Sequence, residues 1–510
     1  MDNRRNYKLL YGRLSIVVVL ITIQLVILIF ALSRFNQNFQ YFWGFCFVLS
    51  IIEVLVIINK NLNPAYKLAL IIPILVFPVF GGLFYILLGR RKLKRSHKEQ
   101  LNNSKKTMET LLSQDENVLH KITDLDEAVA SQIRYIRDFS YFPVYENTTV
   151  EYLSPGEKFF ERLKEQLRSA QKFIFMEYFI IQEGFMWNEI LEIMIEKAMS
   201  GVDVRIIYDD LGCVQLLPYK YNKYLEKSGI KCSVFSPFKP IISMWLNNRD
   251  HRKITVVDGR VAFTGGINLA DEYINKHAKF GYWKDASVMV EGEAVWSFTF
   301  MFLSLWNAIS PEAVDYKKYR GSADFPETDG FIAPYSDLPI DEETVGENVY
   351  LNLITKAKKY IHICTPYFIV DNEIMTALCL AAKSGVEVQI VTPHIGDKWY
   401  THMITRANYQ RLIENGVKVY EYTPGFMHSK TVVSDHSLAI AGTINFDFRS
   451  MFLHFECAVL MYKSSAIKQM DDDFHEILKV SQQISLEQCQ NEKFIIKVIR
   501  MVLKLFAPLM

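Results

Sequence analysis

An imidazole and an ammonium two residues apart occur twice in this chain, each followed by the same punctuation. The first copy, HRKITVVDGRVAFTGGIN, carries His251, Lys253, Asp258, Gly265, Gly266 and Asn268. The second, HSKTVVSDHSLAIAGTIN, sets His428, Lys430, Asp435, Gly442 and Asn445 at the matching positions. An imidazole titrates near neutral pH and can attack, or take and return a proton, while a neighbouring lysine supplies a cation. Cleaving a phosphodiester needs those functions together: a nucleophile, an acid for the departing oxygen and cations for the phosphoryl oxygens. Two His, two Lys and two Asn provide the set with no metal, since lysine is not a usual metal ligand. No P-loop or dinucleotide fingerprint is present, so no cofactor is expected. The histidines outside the motifs, His394, His402 and His454, read as ordinary satisfied polar residues.

The elements that must position these groups are legible around them. Each copy reads as a β-hairpin, with a β-branched run, a turn at Asp258-Gly259 or Asp435-His436, and an apolar run ending at glycine. Strand side chains alternate, so each His shares a face with its Lys. An Asp in such a turn usually serves turn geometry, and Gly265, Gly266 and Gly442 allow close backbone approach. Upstream of each hairpin lie a buried strand, a helix closing at Ser-Gly, and a second strand. These are FIFMEYFII, Ser200-Gly201 and VDVRIIYDD in one case, KKYIHICTPYFIV, Ser384-Gly385 and VEVQIVTP in the other. The chain is therefore an α/β protein with an internal repeat of roughly 180 residues, each half closing with its own motif.

These residues resemble the double HxKxxxxD signature of the phospholipase D superfamily, each copy followed by that family's GGxN or GTxN. The resemblance covers residues 140–480, and the N-terminal hydrophobic region narrows it to the bacterial cardiolipin synthases. It implies two repeated α-β-α sandwich domains in a pseudo-twofold arrangement behind N-terminal transmembrane helices, with His251 and His428 in one cleft. The expected divisions are a membrane region (1–91), a charged helical linker (92–138), the two repeats (139–325 and 326–490) and a basic amphipathic C-terminal helix (491–510).

The catalytic set implied is His251, Lys253, Asp258, His428, Lys430 and Asp435. On the family pattern His251 attacks phosphorus to form a phosphohistidine and His428 is the acid/base, although the two copies are too alike for sequence to separate. Lys253, Asn268, Lys430 and Asn445 would cradle phosphate. A carboxylate should orient each histidine: Asp285 in YWKDASVMV for the first copy, Glu456 in FLHFECAV for the second. The activity implied is phosphatidyl transfer between two phosphatidylglycerols, giving cardiolipin and glycerol. The rivals are a hydrolase using water, a tethered nuclease and a non-catalytic scaffold.

Composition bears on the rivals. A formal charge of +1 over 510 residues gives no long-range field for nucleic acid, so no nucleic-acid partner is expected. Seven scattered cysteines without a CxxC pair read as reduced core thiols. Three hydrophobic segments come first: Leu14 to Leu32, Tyr41 to Ile58 with Glu53 inside, and Leu68 to Leu88 with Pro73 and Pro78. Basic clusters flank them on both sides, and both ask to be cytoplasmic. Either the third segment breaks at its prolines and turns back, or all three span with the N-terminus outside; both readings give a multi-pass protein of the bacterial membrane with its catalytic domains in the cytoplasm. Ser236 to Arg249 reads equally as a membrane-dipping loop or a buried strand. In the C-terminal run, Lys493, Lys497, Arg500 and Lys504 form one stripe opposite a wholly apolar side.

Overall fold

The computed structural model describes residue 26 and residues 39–76, 95–237, 248–321, 329–340 and 343–509. The first half contributes β1 (Thr148–Leu153), β2 (Phe173–Tyr178), β3 (Asp203–Asp209), β4 (Lys231–Phe235), β5 (Lys253–Val257), β6 (Val261–Gly265), β7 (Tyr282–Lys284) and β8 (Ser287–Gly292). The second contributes β9 (Phe331–Asp337), β10 (Tyr360–Cys364), β11 (Phe368–Ile369), β12 (Glu387–Pro393), β13 (Lys418–Tyr422), β14 (Gly425–Met427), β15 (Thr431–Ser434), β16 (Leu438–Gly442), β17 (Phe446–Asp447), β18 (Glu456–Tyr462) and β19 (Ser481–Gln483).

The main sheets run β1-β8-β6-β5-β2-β3-β4 and β9-β18-β16-β15-β10-β12-β13-β19. Strand for strand they are the same order, with β19 added at one edge, so the repeat seen in sequence is a repeat of topology. Both are mixed: β2 pairs parallel with β3 and antiparallel with β5, as β10 does with β12 and β15. The fully buried run Phe173–Tyr178 occupies the middle of its sheet because every residue faces a covered side. The helices before β3 and β12 end at Gly201 and Gly385, both at φ 93°, which suits residues without a Cβ.

The two sheets share one core. Ile254, Val256, Ala262 and Val290 of the first half cluster with Val433, Ala441, Cys457 and Val459 of the second, around the helix Val295–Ile309. Helices cover the outer faces.

Asp258 and Asp435 sit at the hairpin turns with φ 55° and 54°. Asp258 accepts backbone N–H bonds from Gln171 (2.7 Å), Lys172 (2.7 Å) and Phe173 (2.8 Å). Asp435 does the same for Lys358 (2.7 Å), Lys359 (2.7 Å) and Tyr360 (3.0 Å). Each aspartate thus clamps the entry of its central strand. At about 3.3 Å per residue it stands some ~20 Å along the chain from its histidine. In the structure they hold the sheet, as an Asp in such a turn usually does.

The 92–138 stretch, expected as a charged helical linker, forms helices Arg95–Leu111, Glu116–Leu125 and Glu127–Ser140, and these pack on the body rather than standing in solvent. Val118, Leu119, Ile122, Val129, Ile133 and Ile136 enter the second-half core, with Asp115 and Asp126 capping the last two helices. Sparse apolar residues at helical spacing were enough to dock it. Residues 311–345, whose Pro, Gly and Asp read as a linker between the repeats, hold β9.

The first hydrophobic segment lies outside the described residues apart from Val26. The second is the helix Phe39–Ile58. The third begins as the helix Pro64–Val76, which continues through Pro73 rather than breaking there; Pro78 lies outside the described residues. Tyr66, Ala69, Leu70 and Ile74, on either side of Pro73, stay buried. Among the residues whose side chains are described, no helix is long and apolar enough to cross a membrane. Residues 238–247, within the Ser236 to Arg249 stretch expected as a membrane-dipping loop or a buried strand, are also outside the described set.

The C-terminal helix Phe494–Phe506 buries one cation and leaves several apolar residues exposed. Arg500 is buried against Glu492, Lys504 donates to the Ala407 carbonyl (3.2 Å) and Lys497 to that of Gln490 (2.6 Å). Phe494, Ile495, Met501 and Val502 point outward.

Asp258→Ala leaves three backbone N–H groups without their carboxylate. We expect a loss of about 1–3 kcal/mol, read as a fall of several degrees in Tm, with turnover of the folded fraction close to wild type.

Candidate active site

The motif histidines stand just before β5 and β15, and each is stitched to the other half by backbone. The His251 N–H donates to the Phe455 carbonyl (3.0 Å), and the Phe455 N–H to that of Arg249 (2.8 Å). On the other side β14 pairs parallel with β7, and the His428 N–H donates to the Lys284 carbonyl (2.7 Å). Phe455 and Lys284 each precede a carboxylate, so these pairings deliver Glu456 to His251 and Asp285 to His428.

The contacts are correspondingly crossed. His251 Nδ1 lies 2.9 Å from Glu456 Oε1, and His428 Nδ1 lies 2.6 Å from Asp285 Oδ2. Sequence reasoning paired each carboxylate with the motif of its own half; the structure exchanges them, because chain proximity carries no information about strands meeting across the two repeats. An Nδ1–H donated to a carboxylate fixes the tautomer and leaves Nε2 as the reactive nitrogen.

The carboxylates are supported differently. Asp285 accepts from the Ala286 N–H (2.8 Å) and the Trp283 indole N–H (3.4 Å), and a Cβ at Gly266 would come within 2.1 Å of its Oδ1. Glu456 accepts instead from the hydroxyl of Thr443, the residue at the equivalent place in the second motif. Thr443 was not singled out from sequence, although its replacement of glycine in GTIN is the visible signal.

The lysines close the site. Lys253 Nζ donates to the carbonyl of His251 (2.7 Å), and Lys430 Nζ to that of His428. Burial lowers them to about 8 and about 7 respectively, opposed by Glu456 and Asp285. Burial and nearby lysines also hold His251 well below the ordinary imidazole value and bring His428 down to about 4. His251 feels the charges of Lys430 and His428, and His428 that of Lys253, so the two motifs form one electrostatic site.

The other expected residues are engaged to different degrees. Asn268 accepts from the Ile180 N–H (3.0 Å) and donates to the Tyr273 hydroxyl (2.7 Å), so its oxygen and one of its two amide protons serve the protein. The Asn445 Oδ1 is buried without a hydrogen-bond partner. Arg249 pairs with Asp209 at 3.3 Å. His394 is satisfied by Glu421 (2.8 Å), but His454 is not: its ring packs 5.6 Å from that of His251, and neither nitrogen has a hydrogen-bond partner. His251, His454 and Glu456 present donor atoms within 4.8 Å of one another, a set a metal ion could use, though Lys253 beside them favours an anion.

The crossing has a direct check. In histidine-labelled protein, Asp285→Asn is expected to shift the ring-nitrogen resonances of His428 and leave those of His251, with Glu456→Gln doing the reverse. Each should lower turnover about 10²–10⁴-fold, the range of general acid–base assistance.

Comparison with known proteins agrees with this geometry. The family model described as "Cardiolipin synthase, PLD-like domain" matches residues 163–290 and 350–478, and "Phospholipase_D-nuclease N-terminal" matches residues 48–90. The cardiolipin synthase of Alkalihalophilus pseudofirmus is 33% identical over 95% of this chain and 98% of its own. That of Halalkalibacterium halodurans is 34% identical over 89% and 91%. An uncharacterized protein of Streptococcus mutans is 43% identical over 90% of this chain and 99% of its own. Among solved structures, the phosphatidylserine synthase of Haemophilus influenzae shares the fold (TM-score 0.56, 16% identity, 74% of this chain and 97% of that one). With the family model matching both repeats and the curated relatives matching almost end to end, the chain belongs to the cardiolipin synthase family of PLD-like proteins.

Proposed function

We propose that this protein is a cardiolipin synthase, a phosphatidyltransferase that joins two phosphatidylglycerols and releases glycerol. The observation that carries it is the crossed pair of buried imidazoles. Each offers Nε2 to a site shared with Lys253 and Lys430. One histidine takes the phosphatidyl group as the P–O bond to glycerol breaks, and the other protonates the departing oxygen. The second then deprotonates a hydroxyl of the incoming phosphatidylglycerol, which displaces the histidine. Both steps exchange one phosphodiester for another bond of similar energy, so no nucleotide is required.

The lipid substrate fits a membrane-seated protein, with the catalytic repeats on the cytoplasmic side of a bacterial membrane. Two features support that seating. The hydrophobic N-terminal helix Pro64–Val76 docks on the second repeat through Tyr66, against Phe448 and Phe452. The adjoining C-terminal helix exposes Phe494, Ile495, Met501 and Val502 together with Lys493, Lys497 and Lys504, a mixed apolar and basic surface that suits a bilayer.

Purified protein with phosphatidylglycerol in micelles should give cardiolipin and glycerol. Phosphatidic acid alone would mean a hydrolase, and no turnover would defeat the enzymatic reading. His251→Ala and His428→Ala should each abolish product.

The lysines set the pH response. Deprotonation removes the cations that hold phosphate, so kcat/KM is expected to fall as pH rises through about 7 to about 8. A profile flat to pH 9 would count against the phosphate role of both.

Replacing Met501 and Val502 together by Glu should lower turnover on phosphatidylglycerol vesicles about tenfold or more while sparing turnover in detergent micelles.

A further inference from the structure

Outside the catalytic set, three imidazoles gather on one carboxylate. Asp471 lies in the helix Ala466–Lys479, which packs over the face of β10 that carries Tyr360, His362 and Cys364. Its Oδ1 is 2.9 Å from His362 Nδ1. Its Oδ2 accepts the Tyr360 hydroxyl at 3.1 Å and stands 3.4 Å from His436 Nδ1. His475, one helical turn further on, donates its Nδ1–H to the Asp471 carbonyl at 2.8 Å. The rings of His362 and His475 are 5.3 Å apart and close to perpendicular, at 82°.

Two features set this cluster apart from ordinary hydrogen bonding. His362 is 4% exposed in a central strand, and its Nε2 has no hydrogen-bond partner; Glu387 Oε1 stands 3.9 Å away. A buried polar nitrogen left bare is costly. The donor atoms of His362, Asp471 and His475 also lie within 4.8 Å of one another. His394 makes the contrast: its carboxylate, Glu421, is held by Arg406 through two bonds of 2.7 and 2.6 Å and so already carries its cation. Among the described residues no lysine or arginine pairs with Asp471.

We propose that His362, Asp471 and His475 form a binding site for a divalent transition metal of the zinc class. Imidazole and carboxylate bind such an ion at about 2.0–2.2 Å, which sets tetrahedral ligands about 3.3 Å apart. The three donors converge on that spacing with small movements. A metal-bound imidazole keeps its other nitrogen on an oxygen. His475 already does so through the Asp471 carbonyl, which leaves Nε2 for the ion. His362 binds through Nδ1 as its proton passes to Nε2, and the bare nitrogen then donates to Glu387. No proton is released, and the fourth position is left to solvent.

The ion would tie down a helix that spans the repeats. Two residues beyond Asp471, Asp473 accepts from Lys284 (2.6 Å), Tyr152 (2.8 Å) and Ser154 (3.1 Å) of the first repeat. Lys284 is the residue whose carbonyl takes the His428 N–H. A metal on Asp471 therefore braces, from the second repeat, the helix that holds this junction.

Zinc itself is the probe. Full-length protein, purified in detergent without a histidine tag and stripped with a chelator, is titrated with zinc chloride by calorimetry. It should bind one equivalent, and its Tm should rise by several degrees at a zinc concentration about 100 times Kd. His475→Ala removes an exposed ligand; it should weaken binding about 100-fold or more and leave the zinc-free Tm near that of wild type. His362→Gln should lose binding as well. Zinc affinity unchanged in His475→Ala overturns the site, as does a wild type that binds no zinc. Binding that survives His475→Ala and is lost in His454→Phe places the ion on His251, His454 and Glu456 instead, and overturns it too.

Discussion

Everything in the site depends on two carboxylates buried to 0% exposure, each held against the histidine of the opposite repeat. A carboxylate in that position is tolerated only when hydrogen-bonded, because its desolvation is otherwise uncompensated. The imidazole N–H supplies part of that compensation and in return has its tautomer and ring orientation fixed. The bridge between Asp250 and Phe455 and the β7–β14 pairing are what bring the partners together, and they are backbone contacts. The shared core behind them keeps the two sheets from sliding. Positioning at the reacting nitrogens is thus inherited from strand pairing rather than from a flexible loop.

Duplication gave the molecule two similar sites, and the residues around them have since diverged. Where the shorter Asp285 sits, glycine leaves the backbone bare; where the longer Glu456 sits, a threonine hydroxyl meets it. Tyr273, Trp283 and Phe426 enclose His428, while His251 faces Phe179 and His454. Two histidines with equal surroundings would compete for the same step. Unequal ones can divide attack from proton transfer.

The sequence carried a large part of this. The paired strands, the Ser-Gly helix ends and the His-x-Lys spacing are local features, and residues two or four apart in a strand or helix betray them. Asp285 and Glu456 were also found, through the resemblance, which places an acidic residue some distance after each motif. Their partners were not found correctly, since pairing across the pseudo-twofold is a tertiary fact. Asn268 illustrates a second limit: its residue type fits a phosphate cradle, but Ile180 and Tyr273 engage it. His454 illustrates a third. Nothing beside it in the chain distinguishes an unsatisfied imidazole from a satisfied one. The 92–138 helices were underestimated because their charge hides a narrow apolar stripe that only a neighbouring surface makes meaningful.

The exchange of carboxylates also has a consequence for partial molecules. Neither repeat owns a complete histidine unit, so a nascent chain with only its first half emerged, or a copy clipped between the repeats and separated, has each imidazole without its oxygen partner. Such fragments would lack a trained nucleophile. For a protein whose chemistry cuts the lipids that surround it, the arrangement works as a safety interlock: the blade is assembled only when the whole chain has closed.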